Sequence, residues 1–291
     1  MKNRFLIALI SLTWALASPV WAQNGEPTPD CKMCGTWNAP QKPFRIFGNT
    51  YYVGVGLGSV LITSDQGAIL IDGALNESAP MIAGHIQALG FKLSDVKVIL
   101  NSHAHYDHAG GLSQLQRITG ARVLASPWSA GVLKSGHNPS DDPQFGALAP
   151  IAPVANVSEL HDGEVVRIGA LALTAHFTPG HTPGGTSWSW QSCESGKCLN
   201  MVYADSQTAV SPKGYRYSDH PDVVQNFAKG QAVIAGLPCD VQLAPHPEFS
   251  PQLTGMLKGG ALTPDANACH VFADAARIGV AKRLADEKAG N

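Results

Sequence analysis

Charge of either sign is scarce in this chain. Lys and Arg number 20 and Asp and Glu 22 among 291 residues, leaving a formal net charge of −2. A surface without basic excess has no electrostatic hold on a polyanion, which argues against nucleic acid as a partner. Long apolar runs are lacking too. The run from Phe5 to about Ala17 is shorter than the roughly 20 residues a comfortable membrane span needs. Gly-x-Ser-x-Gly is absent, so the familiar elbow for a serine nucleophile is not available. Neither a repeat of short period nor a low-complexity tract occurs. Gly54-Val55-Gly56-Leu57-Gly58 resembles a dinucleotide loop, but a strand pattern follows it where a helix is required.

Histidine is what the chain concentrates. Asn101-Ser102-His103-Ala104-His105-Tyr106-Asp107-His108 packs three imidazoles and a carboxylate into six positions, directly after the apolar run Val96 to Leu100. A core gains nothing from such crowding. Zinc does, because neutral imidazole nitrogen and carboxylate oxygen are its preferred ligands other than sulfur. In an extended loop, residues two apart point to one side, so His103 and His105 can grip one ion together. Asp107 and His108 can turn toward a second. A catalytic zinc takes three protein ligands and keeps one position open, so each site needs one more residue. His181 sits in the rigid turn Thr178-Pro179-Gly180-His181-Thr182-Pro183-Gly184-Gly185, after the alternating segment Leu171 to Phe177. His246 lies between Pro245 and Pro247, just past Val241 to Leu243. Proline and glycine fix the backbone at both positions, as a metal ligand requires. The other six histidines (His85, His137, His161, His176, His220 and His270) lack this setting and read as surface or satisfied core residues.

These motifs carry a resemblance. Ser102 to Gly111, Thr178 to Thr186, Tyr203-Ala204-Asp205-Ser206 and Pro245-His246-Pro247 are similar to the metallo-β-lactamase superfamily, and within it to the third subclass of class B β-lactamases. The likeness runs from about Pro43 to the carboxy-terminal helix. It implies that His103, His105 and His181 hold one zinc and that Asp107, His108 and His246 hold a second, with no thiolate because Ser206 stands where other subclasses place cysteine. Two such ions share a water and lower its pKa toward about 7. The resulting hydroxide attacks the β-lactam amide of penicillins, cephalosporins and carbapenems, with Asp107 orienting it. The resemblance also implies that Ser206 and Thr208 bind the substrate carboxylate and that Tyr215 donates to the developing oxyanion. Turn capping by Ser206 and Thr208, and simple packing by Tyr215, are the alternatives. A lactonase or thioesterase of the same superfamily is the rival function, and a zinc-binding protein without catalysis a more distant one. The loop Gly136 to Pro150, rich in Asp, Pro and Gly, reads equally as a groove border or a plain surface loop.

The amino terminus has the form of a secretory signal peptide. Lys2 and Arg4 precede the apolar run, and Val20-Trp21-Ala22 resembles a cleavage site. Cleavage leaves a domain over residues 23–291, with a formal charge of −4 because Met1 to Ala22 contains no acid. The expected product is exported to the periplasm, is not held in the membrane, and is a monomer, since no oligomer interface is legible. Six cysteines suit that oxidising compartment: Cys31, Cys34, Cys193, Cys198, Cys239 and Cys269. Six allow fifteen pairings, and sequence does not choose among them. Similarity to relatives favours Cys239 with Cys269, stapling the last strand to the terminal helix. Cys193 with Cys198 would close a hairpin. Relatives pair an amino-terminal cysteine with one near Gly56, so here Cys31 and Cys34 are expected to bond each other. A structural zinc knuckle is the alternative for that pair. A redox Cys-x-x-Cys is disfavoured because no helix obviously follows.

Hydrophobic periodicity gives one α/β domain. Strands are expected over 51–55, 60–63, 68–71, 96–100, 123–125, 165–168, 171–177, 187–190, 201–204 and 241–243. Helices are expected over 78–89, 112–119, near Trp128, 223–235 and 267–287. Runs of strands with fewer helices suggest two mixed sheets face to face, with helices outside. The resemblance names this arrangement the metallo-β-lactamase αββα sandwich, with the metals at one sheet edge. The roughly 269 residues after the leader can bury such a core without subdivision.

Overall fold

The computed structural model describes residues 31–290, so the leader expected over Met1 to Ala22 lies outside the described residues. Two sheets face each other. The first has seven strands in sequential order: β1 (Phe44–Phe47), β2 (Thr50–Tyr52), β3 (Val60–Ser64), β4 (Gly67–Ile71), β5 (Val96–Leu100), β6 (Arg122–Ala125) and β7 (Val157–Glu159). Neighbours from β1 to β4 are antiparallel, and those from β4 to β7 are parallel. The parallel half needs crossovers, and three helices supply them: α2 (Ala79–Ala88), α4 (Leu112–Thr119) and α5 (Pro127–Ser135). The second sheet comprises β8 (Val165–Ile168), β9 (Leu171–Phe177), β10 (Thr186–Glu194), β11 (Lys197–Tyr203) and β12 (Val241–Leu243), and its only parallel pair is β11 with β12. Outside it lie α6 (Pro221–Gly236) and α8 (Ala268–Lys288).

Burial follows this layering. A strand alternates its side chains between two faces, and every residue of β4 is buried because both faces are covered. Ile69 and Ile71 join Val98, Leu100, Trp188, Met201 and Tyr203 between the sheets, whereas Leu70 joins Ile99, Val123 and Leu112 beneath the helices. The hairpin from β10 to β11 turns on Ser195 and Gly196, both with positive φ. That conformation matches strand twist and is open to glycine at little cost. Cys193 and Cys198 bridge the hairpin, Cys239 and Cys269 tie the approach to β12 to α8, and Cys31 bonds Cys34.

Several short elements differ from the sequence expectation. A four-residue helix, α1 (Cys34–Trp37), starts at the second cysteine of the amino-terminal pair, where no helix was legible. A turn, α3 (Tyr106–Ala109), forms inside the histidine loop. α7 (Pro251–Leu257) was not anticipated; Ser250 caps it, accepting the Leu253 N–H at 3.0 Å. β1 and β7 are three or four residues long, too short for periodicity to reveal. A Ser-x-x-Lys spacing does occur at Ser94 to Lys97, but Ser94 lies in an exposed turn before β5 and Lys97 is the exposed residue of β5, with Lys97 Nζ donating to the Ser94 carbonyl at 2.7 Å.

Candidate metal centre

All candidate ligands leave the carboxyl ends of strands that point the same way. β5 delivers residues 101–108, β9 delivers His181, β11 delivers Asp205 and Ser206, and β12 delivers His246. The carboxyl edge of a sheet gathers functional loops because strand ends stop there while the chain turns over open space. His105 keeps an extended backbone, with φ −82° and ψ 153°, and α3 then begins. That turn swings Asp107 and His108 away from the direction of His103 and His105.

The loop is anchored from behind by Asp72, the residue that follows β4. Its φ of 61° lies in the left-handed region, which costs a non-glycine residue about 1–2 kcal/mol. Four donors offset that cost. Asp72 Oδ1 accepts from Ser102 N at 2.8 Å and Asn101 Nδ2 at 3.2 Å, and Oδ2 accepts from Ser102 Oγ at 2.6 Å and Tyr203 Oη at 3.0 Å. Burial, countered in part by His108 and these donors, still raises the Asp72 carboxyl above its usual range.

His103, His105 and His181 form one group, their ligand atoms within 4.8 Å of one another. Each spends one ring nitrogen on an acceptor behind it. His103 donates Nδ1–H to Asp205 Oδ1 at 2.7 Å, His105 donates Nε2–H to Asp142 Oδ2 at 3.0 Å, and His181 donates Nδ1–H to the Thr208 carbonyl at 2.8 Å. Those bonds fix the tautomers, so the opposite nitrogens face inward with free lone pairs. His103 Nε2 is buried without a partner. Gln144 Nε2 lies 3.5 Å from His105 Nδ1 and 3.3 Å from His181 Nε2, a donor between two acceptors. Burial, with His108, His105 and His181 adding to it, holds His103 well below the ordinary histidine range. Burial and His105 take His181 down to about 3. Neutral imidazoles are what a metal needs.

Asp107, His108 and His246 form a second group. Their facing atoms make a nearly equilateral triangle: His108 Nε2 to His246 Nε2 is 3.1 Å, His108 Nε2 to Asp107 Oδ2 is 3.2 Å, and His246 Nε2 to Asp107 Oδ2 is 3.3 Å. Tetrahedral zinc with ligands at 2.0–2.1 Å separates them by about 3.3 Å. The spacing of these three atoms therefore matches that of ligands around one such ion. Burial works against ionised Asp107, but His108 and the hydrogen bonds from His108 and His246 hold its pKa well below the usual carboxylate value. His246 is raised, because the Asp107 hydrogen bond and charge outweigh the burial that would lower it. Trp37 meets the His246 ring edge-on at 5.5 Å between centroids, and Phe249 stands 6.2 Å away on it.

Asp72, Asp107, Asp142 and Asp205 are all buried; the ion pairs observed for Asp107, Asp142 and Asp205 are with histidine, and Asp72 is held by the hydrogen bonds from Asn101, Ser102 and Tyr203. Burial, and then Asp72, raise the Asp205 carboxyl well above its usual range. Four buried acids without a Lys or Arg in those pairs suit a place that takes cations.

Of the proposed substrate contacts, Ser206 is buried beside Asp205. Thr208 is turned to His181, its hydroxyl 3.2 Å from Nδ1. Tyr215 stacks on His220 at 4.4 Å and meets Tyr217 at 5.2 Å; none of its ring contacts is with a candidate ligand. Asp142 and Gln144 come from the loop 136–150, which therefore borders the centre. Sequence reasoning singled out neither residue, nor the supporting role of Asp72. It met Asp205 only within the motif Tyr203-Ala204-Asp205-Ser206. Among the remaining histidines, His85 bonds the Val53 carbonyl at 2.9 Å and His176 bonds Ser189 Oγ at 2.8 Å.

Comparison with known proteins agrees with this geometry. Residues 58–193 match the model of the metallo-β-lactamase superfamily. The structure superposes on the Rm3 metallo-β-lactamase with a TM-score of 0.85 and 51% identity, covering 89% of this chain and 100% of that one. It superposes on MEM-A1, a subclass B3 metallo-β-lactamase from a soil metagenome library, with a TM-score of 0.83 and 51% identity, covering 88% and 100%. Among curated relatives, the hydroxyacylglutathione hydrolase of Rhodopseudomonas palustris (strain BisB18) is 33% identical over 126 residues, which are 43% of this chain and 39% of that protein. The chain thus spans about two fifths of that relative's length, but nearly all of both solved lactamases. It belongs to the metallo-β-lactamases, in subclass B3.

Proposed function

We propose that this protein is an exported hydrolase that opens β-lactam rings with two zinc ions. His103, His105 and His181 would hold one ion, and Asp107, His108 and His246 the other. The observation that carries this reading is the triangle of Asp107 Oδ2, His108 Nε2 and His246 Nε2, whose sides of 3.1–3.3 Å match zinc coordination. When bound, zinc supplies Lewis acidity, polarising a carbonyl and acidifying water near neutral pH. The protein supplies position. Asp107 turns Oδ2 to the two histidines, leaving Oδ1 to accept an O–H from the attacking water and hold it against the carbonyl carbon. The new C–O bond forms, the amide C–N bond breaks, and the ring nitrogen takes a proton. Ser206 is assigned to the substrate carboxylate, with Thr208 beside it. The stacking of Tyr215 on His220 favours packing over an oxyanion contact.

The thioesterase or lactonase reading requires an aspartate between the metals. Asp205 stands behind His103, bonded to its outer nitrogen, which favours the lactamase. Three disulfides suit an oxidising compartment such as the periplasm, and mature protein beginning at Gln23 would establish cleavage of the leader. The decisive assay follows ultraviolet absorbance of a penicillin, a cephalosporin and a carbapenem, with and without chelator, beside a thioester and an acyl lactone. Chelator-sensitive loss of lactam absorbance is expected. Turnover of the thioester or lactone alone would overturn the proposal.

A further inference from the structure

The backbone that carries His246 is seated by residues far earlier in the chain. The Pro245 carbonyl accepts from Gly58 N at 2.7 Å. The loop around Gly58 is fixed in turn by α1, because Leu57 N donates to the Trp37 carbonyl at 2.9 Å. Contact is close at both steps. A Cβ at Gly58 would come within 2.5 Å of the Ala244 oxygen, and one at Gly56 within 2.1 Å of the Thr36 oxygen, so glycine is what lets these backbones meet. The Trp37 ring lies against the same ligand. It meets the His246 ring edge-on at 5.5 Å between centroids and stands 6.3 Å from Tyr106, the residue before Asp107.

By itself α1 is too short to hold this position. It has four residues, and an isolated turn of that length is marginal in water. Among the described residues no side chain caps its amino end, and none of its own residues is fully buried. Two outside ties hold it instead. Cys31 and Cys34 bridge the turn that leads into it, and a disulfide removes freedom that the open chain would otherwise have to lose. At the other end Asn38 Oδ1 accepts from Ser78 Oγ at 2.7 Å. The bridge therefore acts on His246 through α1, Trp37 and the loop Gly56 to Gly58, without touching the metal centre.

Resting on the assignment of His246 to the second ion, we propose that Trp37 and the Cys31–Cys34 disulfide are positioning residues for His246 and set how tightly the second triad holds its metal. They fix the backbone at Pro245 and bound the His246 ring on one side, while the orientation of the ring is left to Asp107 and His108. The test titrates zinc into metal-free protein against a chromophoric chelator, a reading of affinity that needs no turnover. Two backgrounds separate the sites: His181→Ala leaves the second triad whole, and His246→Ala the first. In the first background, replacing both cysteines (Cys31→Ser with Cys34→Ser) should weaken zinc by about tenfold, the low end for loss of a ligand's outer support. Trp37→Ala should do the same with the bridge intact, and Trp37→Phe, which keeps a ring beside His246, should cost less. In the His246→Ala background none of these changes should alter zinc affinity. Equal losses in both backgrounds would overturn the proposal, because the bridge would then be a general stabiliser. So would unchanged affinity throughout. A parent protein that takes up no zinc would instead overturn the ligand assignment itself.

Discussion

The two ligand triads differ in what stands behind them. In the first, every histidine is held from the rear: His103 by Asp205 at 2.7 Å, His105 by Asp142 at 3.0 Å and His181 by the Thr208 carbonyl at 2.8 Å. In the second, His108 Nδ1 is buried without a partner, and His246 Nδ1 has only Glu248, 3.7 Å away and 61% exposed on its side chain. Outer acceptors fix a ligand's tautomer and orientation and raise its basicity. The first triad is thus organised by the fold. The second is organised by its own members and by the ion they would share. One loop supplies ligands to both, so the difference arises from the partners that other strands bring up.

The largest test of this contrast removes a ligand from each triad. His181→Ala and His246→Ala should each lower β-lactam turnover by about a hundred- to a thousandfold, since a Lewis acid contributes several kcal/mol and each 1.36 kcal/mol is tenfold. Steady-state kinetics with zinc analysis of each variant measures it. Near-normal activity in either would remove that histidine from the centre.

Smaller changes separate the triads. Asp205→Ala or Asp142→Ala should weaken zinc binding at the first triad by about 10–100-fold, the usual effect of deleting a ligand's outer partner. Glu248→Ala should change affinity at the second triad by less than about threefold, because an exposed pair at 3.7 Å is screened. Competition with a chromophoric chelator gives both numbers. If Glu248→Ala costs as much as Asp142→Ala, the two triads are supported alike and the contrast is wrong.

The same asymmetry governs what was legible in the sequence. Ligands must be His or Asp, at places after strands, so His103 and His105 stood out by their crowding in one loop after β5, and His181 and His246 by their Pro or Gly neighbours. Their supports obey no such rule. Asp142 is one of two consecutive acids in a polar loop, and nothing in its neighbours says that it is buried against His105. Asp72 becomes visible once Ser102 and Tyr203 converge on it from both sheets. Long strands such as β5 and β9 were legible from apolar patterning. β7 was not, because three residues carry no period, and α3 was hidden by the extended pattern on either side. The cysteine pairings required proximity, which spacing alone does not supply.

The smallest effect concerns a buried carboxylate remote from either triad. Glu287, near the end of α8, accepts from Tyr217 N at 2.9 Å, Ser218 N at 2.8 Å and Arg283 Nε at 2.7 Å. Burial would raise its pKa, but the Arg283 bond and the two backbone donors outweigh burial and bring it down to about 2. A depressed folded-state pKa contributes stability that is present above the unfolded value of 4.5 and is lost as pH falls through about 2. Glu287→Gln should therefore destabilise the protein by about 1–2 kcal/mol at neutral pH, and the gap to the parent should close between those two values. Thermal melts across that range measure the gap, and zinc content at neutral pH supplies the second reading. Unchanged zinc in a less stable variant would confine the influence of outer acceptors to the ligands they touch. A loss of zinc from the first triad would instead mean that its organisation depends on how α8 is seated, and the line between the triads would have to be redrawn.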